Sequence, residues 1–128
     1  MKYLLDTHAA VWLLEGSEQL SDVVANALKA ETKDAVALAD ISLLEIAMLG
    51  TRGKIELVPS LSSALREIAG CFTVLPINAA IAADAVEVAL PQKDPFDRLI
   101  AATARHHKLT LVTMDSQIAH SDVVKTLW

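Results

Sequence analysis

Short apolar runs alternate with segments of helical periodicity along the whole chain, and this alternation constrains the fold more than any other feature of the sequence. Runs that stay apolar without alternating with polar residues are typical of strands buried on both faces of a parallel sheet. Helices between such strands cover the sheet on its two sides. The sequence therefore predicts an α/β domain, a three-layer α/β/α sandwich with a central, mainly parallel five-stranded sheet. The predicted strands are residues 3–5, 35–39, 72–75, 109–113 and 123–127.

Capping residues and helix-breaking residues place helices between these strands. Ser21, Ser60 and Asn78 are predicted N-caps, because their side chains accept hydrogen bonds from the first free amides of a helix. Asp94 followed by Pro95 predicts another helix start, since proline at the first helical position loses no hydrogen bond. The predicted helices cover residues 9–14, 21–30, 42–49, 60–70 and 78–90, with a further one beginning after 94.

Length and composition restrict the class of protein. A chain of 128 residues predicts a single domain over residues 1–128 and excludes a multidomain enzyme. With 53% apolar and 21% charged residues, a disordered chain is excluded. The longest uncharged stretch, residues 68–83, contains Gly70 and Pro76 and is too short for a membrane span. The single cysteine, Cys71, in a chain without a signal-peptide pattern predicts a reducing cytoplasm.

The net charge argues against a protein that holds nucleic acid by bulk electrostatics. Eleven Lys and Arg residues against sixteen Asp and Glu residues give −5, whereas such a nucleic-acid surface is normally basic. Most of the acids fall where helices are expected to face solvent, but four do not. Acids gathered in one cleft have a different function from acids spread over a surface. The positions of these four acids therefore indicate more about function than the net charge does.

The four exceptional acids all lie near the carboxyl ends of predicted strands. Asp6 directly follows the first strand, and Glu45 lies in the first predicted turn of the helix after the second. Asp97 opens the helix that begins after 94, and Asp115 lies two residues beyond the fourth strand. Ligands of parallel sheets collect at this edge, and clustered carboxylates repel one another unless cations compensate them. All-oxygen ligands suit Mg²⁺ or Mn²⁺ better than zinc.

Each acid also has a purely structural explanation. Asp6 could cap the following helix, and Ser42 with Glu45 matches the S-x-x-E capping box. Asp97 in a first helical turn would gain about 0.3–1 kcal/mol from the helix dipole, and Asp115 could be a turn residue. For any one acid alone, the structural explanation is favoured. Capping gives no reason for all four to converge, so the convergence favours a magnesium or manganese site.

The stretches around these acids resemble the acidic motifs of PIN domains, and the resemblance covers the whole chain. The most specific stretch is DPFDRLIAA at 94–102, whereas LLDT at 4–7 alone would be weak. The other two stretches are SLLEIA at 42–47 and VTMD at 112–115. At this length and without another domain, the chain looks like a VapC-type ribonuclease toxin of a type II toxin–antitoxin pair.

The resemblance implies a function for each matching position. Asp6 and Asp97 would be the main metal ligands, and Glu45 and Asp115 would complete the catalytic, metal-binding pocket. Thr113 matches a polar position that would orient a carboxylate or water, whereas Asp94 is expected to cap a helix rather than bind metal. The implied reaction is metal-dependent hydrolysis of RNA without a nucleophilic side chain. The implied partners are an RNA substrate, a small antitoxin with a basic inhibitory segment, and a second copy of the chain in a homodimer.

Three alternative functions make different demands on the sequence. A non-catalytic binding protein on a PIN scaffold is expected to lack at least one of the four acids, and none is missing. A receiver-like phosphotransfer module is expected to have adjacent acids and a late lysine. A dehalogenase-like one is expected to have Asp-x-Asp, whereas Thr7 and His8 follow Asp6. The PIN-scaffold binding protein therefore stays the main alternative.

Basic and apolar residues near the predicted cleft are candidate contacts for substrate and partner. Arg98 could meet phosphate at the mouth of the cleft. Lys93, Arg52 and Lys54 could do the same, with a solvated loop as the equal alternative for these three. The apolar residues 12–14 are expected to belong partly to the core and partly to a surface that receives the antitoxin.

Overall fold

The central sheet has five strands, and all of them run parallel. A computed structural model describes all 128 residues. The strands are β1 (Tyr3–Leu5), β2 (Val36–Ala39), β3 (Thr73–Leu75), β4 (Thr110–Val112) and β5 (Thr126–Leu127). They lie in the order β3-β2-β1-β4-β5, with every neighbouring pair parallel. The predicted five-stranded α/β architecture is confirmed, and the strands occur where the apolar runs predicted them.

Seven α-helices connect and flank the strands, and one 3-10 turn, Lys33–Ala35, precedes β2. None of the helices has the length and apolar character that crossing a membrane requires. The α-helices are α1 (Thr7–Glu15), α2 (Asp22–Lys29), α3 (Asp40–Thr51), α4 (Leu61–Gly70), α5 (Ala79–Glu87), α6 (Pro95–His107) and α7 (Ser116–His120).

The two large clusters of the core lie on the two faces of the sheet, because successive strand residues point to opposite faces. Leu4 and Leu111 pack with Ile100 of α6 in one cluster. Leu5 and Val112 pack with residues of α1 and α2 in the other. A third, small cluster lies between α5 and α6. Leu4 and Leu5 are both 0% exposed, and full burial of such a side chain contributes roughly 1.5–3 kcal/mol. Helices on both faces therefore give the predicted three layers.

Four helices begin at the predicted N-caps. The side chains of Ser21, Ser60 and Asn78 accept hydrogen bonds from the amides three residues later, at 3.2, 3.1 and 2.8 Å. The side chain of Asp94 accepts a bond of 2.8 Å from the amide of Phe96. These caps follow from local chemistry alone, which is why the sequence is sufficient to locate them.

The predicted start of α3 is wrong. This helix begins at Asp40, directly after β2, with Ala39 as an N-cap that makes no side-chain bond. The capping box of Ser42 and Glu45 does not form, and Glu45 lies in the second turn. Ser42 is instead buried and accepts a hydrogen bond from the hydroxyl of Thr7. A contact between distant residues has replaced the local bond that the sequence suggested.

The carboxyl ends of β1, β2 and β4 meet at one edge of the sheet, and α1, α3 and α7 start there. The backbone amide of Asp6 donates a hydrogen bond of 3.0 Å to the carbonyl of Val112, which joins the ends of β1 and β4. Side chains that follow these strands are therefore brought together on rigid elements.

Candidate active site

A cavity of about 620 Å³ opens at this edge of the sheet, and all four predicted site residues line it. Asp6 precedes α1, Glu45 comes from the second turn of α3, Asp97 from the first turn of α6, and Asp115 from the start of α7. The predicted helix cap, Asp94, lines the same cavity. Four acids that are far apart in the chain thus converge, as the strand-end argument predicts.

Asp6 is held in one orientation at the N-terminus of α1. Its Oδ1 accepts a hydrogen bond of 2.8 Å from the amide of Ala9, so its predicted capping role is real as well. Burial raises the pKa of Asp6 above its ordinary value, and the nearby charge of Asp115 adds to this effect. Hydrogen bonds from Thr113 and from the amide of Ala9 oppose the shift. Asp6 is therefore an oriented carboxylate whose charge is poorly solvated.

The largest pKa shift among the acids of the cavity is that of Asp97. Burial, and then the negative charges of Asp94, Glu45, Asp115 and Asp6, raise its pKa from 3.8 to about 6. Opposite charges would lower this pKa, but neither ion pair in the protein, Lys2–Glu31 or Arg105–Asp84, involves a cavity acid. No lysine or arginine therefore neutralises the cavity acids, and only the nearby charge of His8 partly offsets that of Asp6.

Asp115 is fixed by donors on both of its oxygen atoms. Oδ1 accepts bonds from the amides of Gln117 and Ile118, at 2.9 and 3.2 Å, and so caps α7. Oδ2 accepts a bond of 3.0 Å from the side-chain amide of Gln92. The hydroxyl of Thr113 accepts a bond of 3.1 Å from the backbone amide of Asp115. Sequence reasoning missed Gln92, and no local signal marks it, because this contact spans two segments of the chain.

The donor set of the cavity fits a hard divalent cation. Carboxylate oxygens are the ligands that Mg²⁺ and Mn²⁺ prefer, and a bound cation would reduce the repulsion among these carboxylates. No three Asp, Glu, His or Cys side chains are close enough together to form a finished metal site. Several of these acids could bind one ion only if their carboxylates moved closer together than they are in this structure.

The prediction that Arg98 meets phosphate is wrong. Its guanidinium has five N–H donors, and all five bond to backbone carbonyls in the last turn of α5 and in the segment between α5 and α6. No donor is left for a substrate. Lys93, Arg52 and Lys54 are exposed, as the solvated-loop alternative expects. A basic residue next to a site acid has here a structural function that its position in the sequence does not reveal.

Two aromatic side chains of α1 also line the cavity. His8 and Trp12 both border it, and their ring centroids lie 5.8 Å apart in a tilted arrangement. Trp12 also contacts the C-terminal Trp128 edge-on, with centroids 5.8 Å apart. The cavity is therefore lined by aromatic side chains as well as by carboxylates. Of the apolar residues 12–14, Trp12 faces this cavity, whereas Leu14 borders a separate groove.

A model of the PIN domain family matches residues 3–124. The chain belongs to the PIN domain family. Ribonuclease VapC22 of Mycobacterium tuberculosis is 38% identical to this PIN domain over 118 residues, which cover 90% of this chain and 88% of that protein. These findings confirm the family that the four acidic stretches indicated.

Several solved structures have the same fold as this PIN domain. FitAcB from Neisseria gonorrhoeae superposes with a TM-score of 0.72 at 24% identity, over 98% of this chain and 96% of that one. DNA-bound VapBC from Salmonella typhimurium gives 0.75 at 15% identity, over 99% and 97%. At such identities the likeness supports the fold.

Proposed function

We propose that this PIN domain is a Mg²⁺- or Mn²⁺-dependent endoribonuclease and the toxin of a toxin–antitoxin pair. The observation that carries the proposal is the convergence of Asp6, Glu45, Asp97 and Asp115 on one cavity with no lysine or arginine paired to them. The 38% identity to a protein named Ribonuclease VapC22 supports RNA as the substrate. Metal dependence follows from the chemistry of the donor set.

In this proposal the four acids bind the metal, with Asp6 and Asp97 as the main ligands. A bound divalent ion would activate water and stabilise the charge that develops on the phosphate oxygens. Asp6 is oriented by Ala9 and Thr113 before any ion arrives. Asp97, with a pKa of about 6, must release any proton it holds before it can act as a ligand. The hydroxyl of Thr113 bonds to the carboxylate of Asp6 and accepts a bond from the backbone amide of Asp115, so it connects these two residues.

The two aromatic side chains of the cavity suggest how an acidic protein binds RNA. With a net charge of −5 and Arg98 fully occupied by carbonyls, attraction of the phosphate backbone contributes little to affinity. Bases of single-stranded RNA stack on aromatic side chains for roughly 1–3 kcal/mol per base. We propose that His8 and Trp12 contact a base next to the cleaved bond, while the acids and their metal act on the phosphate.

The proposed protein partner is a small antitoxin. Structural neighbours such as the VapBC complex from Salmonella typhimurium contain antitoxins, and this protein has a groove of about 320 Å³ that is separate from the acidic cavity. Apolar side chains line most of the groove, and Glu15, Glu56 and Glu67 border it. An apolar segment with basic residues fits this surface. A homodimer and a cytoplasmic location stay predictions of the sequence, and sedimentation and cell fractionation would measure them.

A cleavage assay on purified protein tests the proposed activity. Single-stranded RNA should be cut with Mg²⁺ or Mn²⁺, and cleavage should stop in EDTA and return when metal is restored. Asp97→Asn should reduce cleavage by at least about 100-fold. Asp34→Asn, which changes an exposed acid on the turn before β2, at the opposite edge of the sheet from the cavity, should have no effect. Cleavage that survives thorough chelation would contradict metal dependence. A protein that binds RNA but never cuts it would support the non-catalytic alternative, which the presence of all four acids disfavours.

A further inference from the structure

The side chain of Gln92 faces the fourth acid of the cavity from the irregular segment between α5 and α6. Its Nε2 donates a hydrogen bond of 3.0 Å to Oδ2 of Asp115. The opposite orientation of the amide would place two acceptors at this distance, so only this orientation gives a bond. Its Oε1 is buried and has no donor in the protein. An amide oxygen that is buried without a donor costs free energy, and such an unpaired oxygen is unusual for a half-buried residue of a surface loop.

Arg98 holds the segment that carries Gln92. Its Nη1 donates to the carbonyls of Leu90 and Gln92, at 3.0 and 2.8 Å. Its Nε and Nη2 donate to the carbonyls of Ala85, Val86 and Val88 at 2.6–3.1 Å. Every donor of the guanidinium is therefore used, and the cation also satisfies carbonyls at the C-terminal end of α5. The backbone of Gln92 is fixed from α6, the helix that carries Asp97.

The bonds of Asp115 leave one direction open. Each carboxylate oxygen offers about two lone pairs. Oδ1 accepts two backbone bonds, from Gln117 and Ile118, and Oδ2 accepts one bond, from Gln92. One lone pair on Oδ2 is then free. The backbone amides of α7 thus leave Oδ2 as the available oxygen of Asp115, and the amide of Gln92 determines which side of Oδ2 remains free in the cavity.

We propose that Gln92 is a positioning residue for Asp115, held in place by Arg98. The inference rests on the proposed metal-dependent activity. Gln92 is a neutral donor, so it restrains the carboxylate without cancelling its charge, and that charge remains available to a metal ion. A lysine or arginine in its place would restrain Asp115 but compete with the metal. Residues that orient a ligand in this way typically change metal affinity or activity by about 10–100-fold when replaced.

The contact itself is tested on the metal-free protein by nuclear magnetic resonance. The side-chain amide protons of Gln92 should exchange with solvent at least about 10-fold more slowly than those of Asn26, an exposed amide on α2. The Gln92 side-chain resonance should also move in Asp115→Asn, whereas the Asn26 resonance should not. If the Gln92 amide exchanged as fast as that of Asn26, the proposal would be overturned, whatever the metal does.

The consequence for the metal is tested by calorimetry with Mn²⁺. Gln92→Met keeps the length of the side chain and removes the donor, and Asn26→Leu is the matched control. The Kd of Mn²⁺ should rise by about 10-fold in Gln92→Met and stay unchanged in Asn26→Leu. With RNA, kcat should fall while KM changes by less than about twofold. An unchanged Kd in Gln92→Met would overturn the positioning role. Failure of the unaltered protein to bind Mn²⁺ would overturn the proposed metal site, while the exchange experiment would still decide the contact.

Discussion

The hydroxyl of Thr7 donates a hydrogen bond of 3.1 Å to the hydroxyl of Ser42 inside the protein. Thr7 begins α1 directly after Asp6, and Ser42 lies on α3 three residues before Glu45. Thr7 and Ser42 are 2% and 0% exposed. The bond therefore connects, beneath the cavity, the two helices that carry the first and second site acids.

This bond predicts a coupling between two conservative substitutions. Thr7→Val keeps the shape of the side chain but leaves the Ser42 hydroxyl without its donor, so the free energy of unfolding should fall by about 1–2 kcal/mol. Ser42→Ala should cost a similar amount. The double variant should cost less than the sum, because no buried hydroxyl is left unpaired. Urea denaturation of the four proteins measures the coupling, and strict additivity would show that the bond contributes nothing.

Asp97→Asn should leave stability equal or higher at pH 7 in EDTA. In the folded protein the pKa is about 6 against an ordinary 3.8, so the folded state binds this proton more tightly than the unfolded one. The free-energy cost of ionising Asp97 in the folded protein rather than in the unfolded one is absent below about pH 4 and complete above about pH 6. After allowance for solvent screening of a half-buried group, its removal should gain on the order of 1 kcal/mol.

Urea unfolding at several pH values measures this effect. The stability difference between Asp97→Asn and the unaltered protein should grow as pH rises from about 4 to 7. Asp34→Asn serves as the control and should show no such trend. A large loss of stability in Asp97→Asn at pH 7 would mean that the attraction between the Asp97 charge and the N-terminus of α6 outweighs its repulsion by the other acids of the cavity.

Metal binding should weaken as the solution becomes acidic. Because the metal and the proton compete for Asp97, and the pKa of Asp97 is about 6, the apparent affinity for Mn²⁺ should be nearly constant above pH 7. Below pH 6 it should fall by up to about 10-fold per pH unit. Calorimetric titrations at pH 5, 6, 7 and 8 measure this dependence. An affinity that stays constant down to pH 5 would show that Asp97 is not a ligand.

Local chemistry explains which parts of this molecule are predictable from sequence. Asp94-Pro95 determines a helix start without help from the rest of the chain, and the acids after β1 and β4 follow from the rule for parallel sheets. Ser42 has the local pattern of a capping box, but burial beneath Thr7 decides its partner. The bond from Gln92 to Asp115 joins residues 23 positions apart. Such contacts depend on how the helices pack, so periodicity and capping rules do not contain them.

Arg98 should be essential for stability although it was expected to bind substrate. Arg98→Met removes five donors from carbonyls that remain partly buried, and water can compensate only some of them. The free energy of unfolding should fall by about 2–4 kcal/mol. Arg66→Met, which removes an exposed bond to Ser62, should change it by less than about 0.5 kcal/mol. Equal effects of the two substitutions in thermal and urea unfolding would contradict the bracing function of Arg98.

The groove separate from the cavity should bind the antitoxin. Leu14 and Val58 are 41% and 59% exposed although they are apolar, and both border the groove, together with Glu15, Glu56 and Glu67. Burial of apolar surface should supply most of the affinity, and the acids should attract a basic segment at a rate that falls with salt. Leu14→Arg should therefore weaken antitoxin binding by at least about 10-fold without changing RNA cleavage. The control is Val86→Arg, which alters a residue that is 80% exposed on α5. This variant should bind the antitoxin as tightly as the unaltered protein does.

Inhibition should depend on a different contact from affinity. An arginine of the bound antitoxin that reaches the cavity can form a bidentate bond with a carboxylate there and thereby occupy the place of the metal near Asp6 and Asp97. Replacement of that arginine by alanine should leave the co-expressed complex intact and restore part of the RNA cleavage. Co-purification measures the complex, and cleavage of a labelled RNA measures inhibition. If every single basic-to-alanine variant of the antitoxin inhibited like the parent, the antitoxin would act by covering the cavity rather than by filling it.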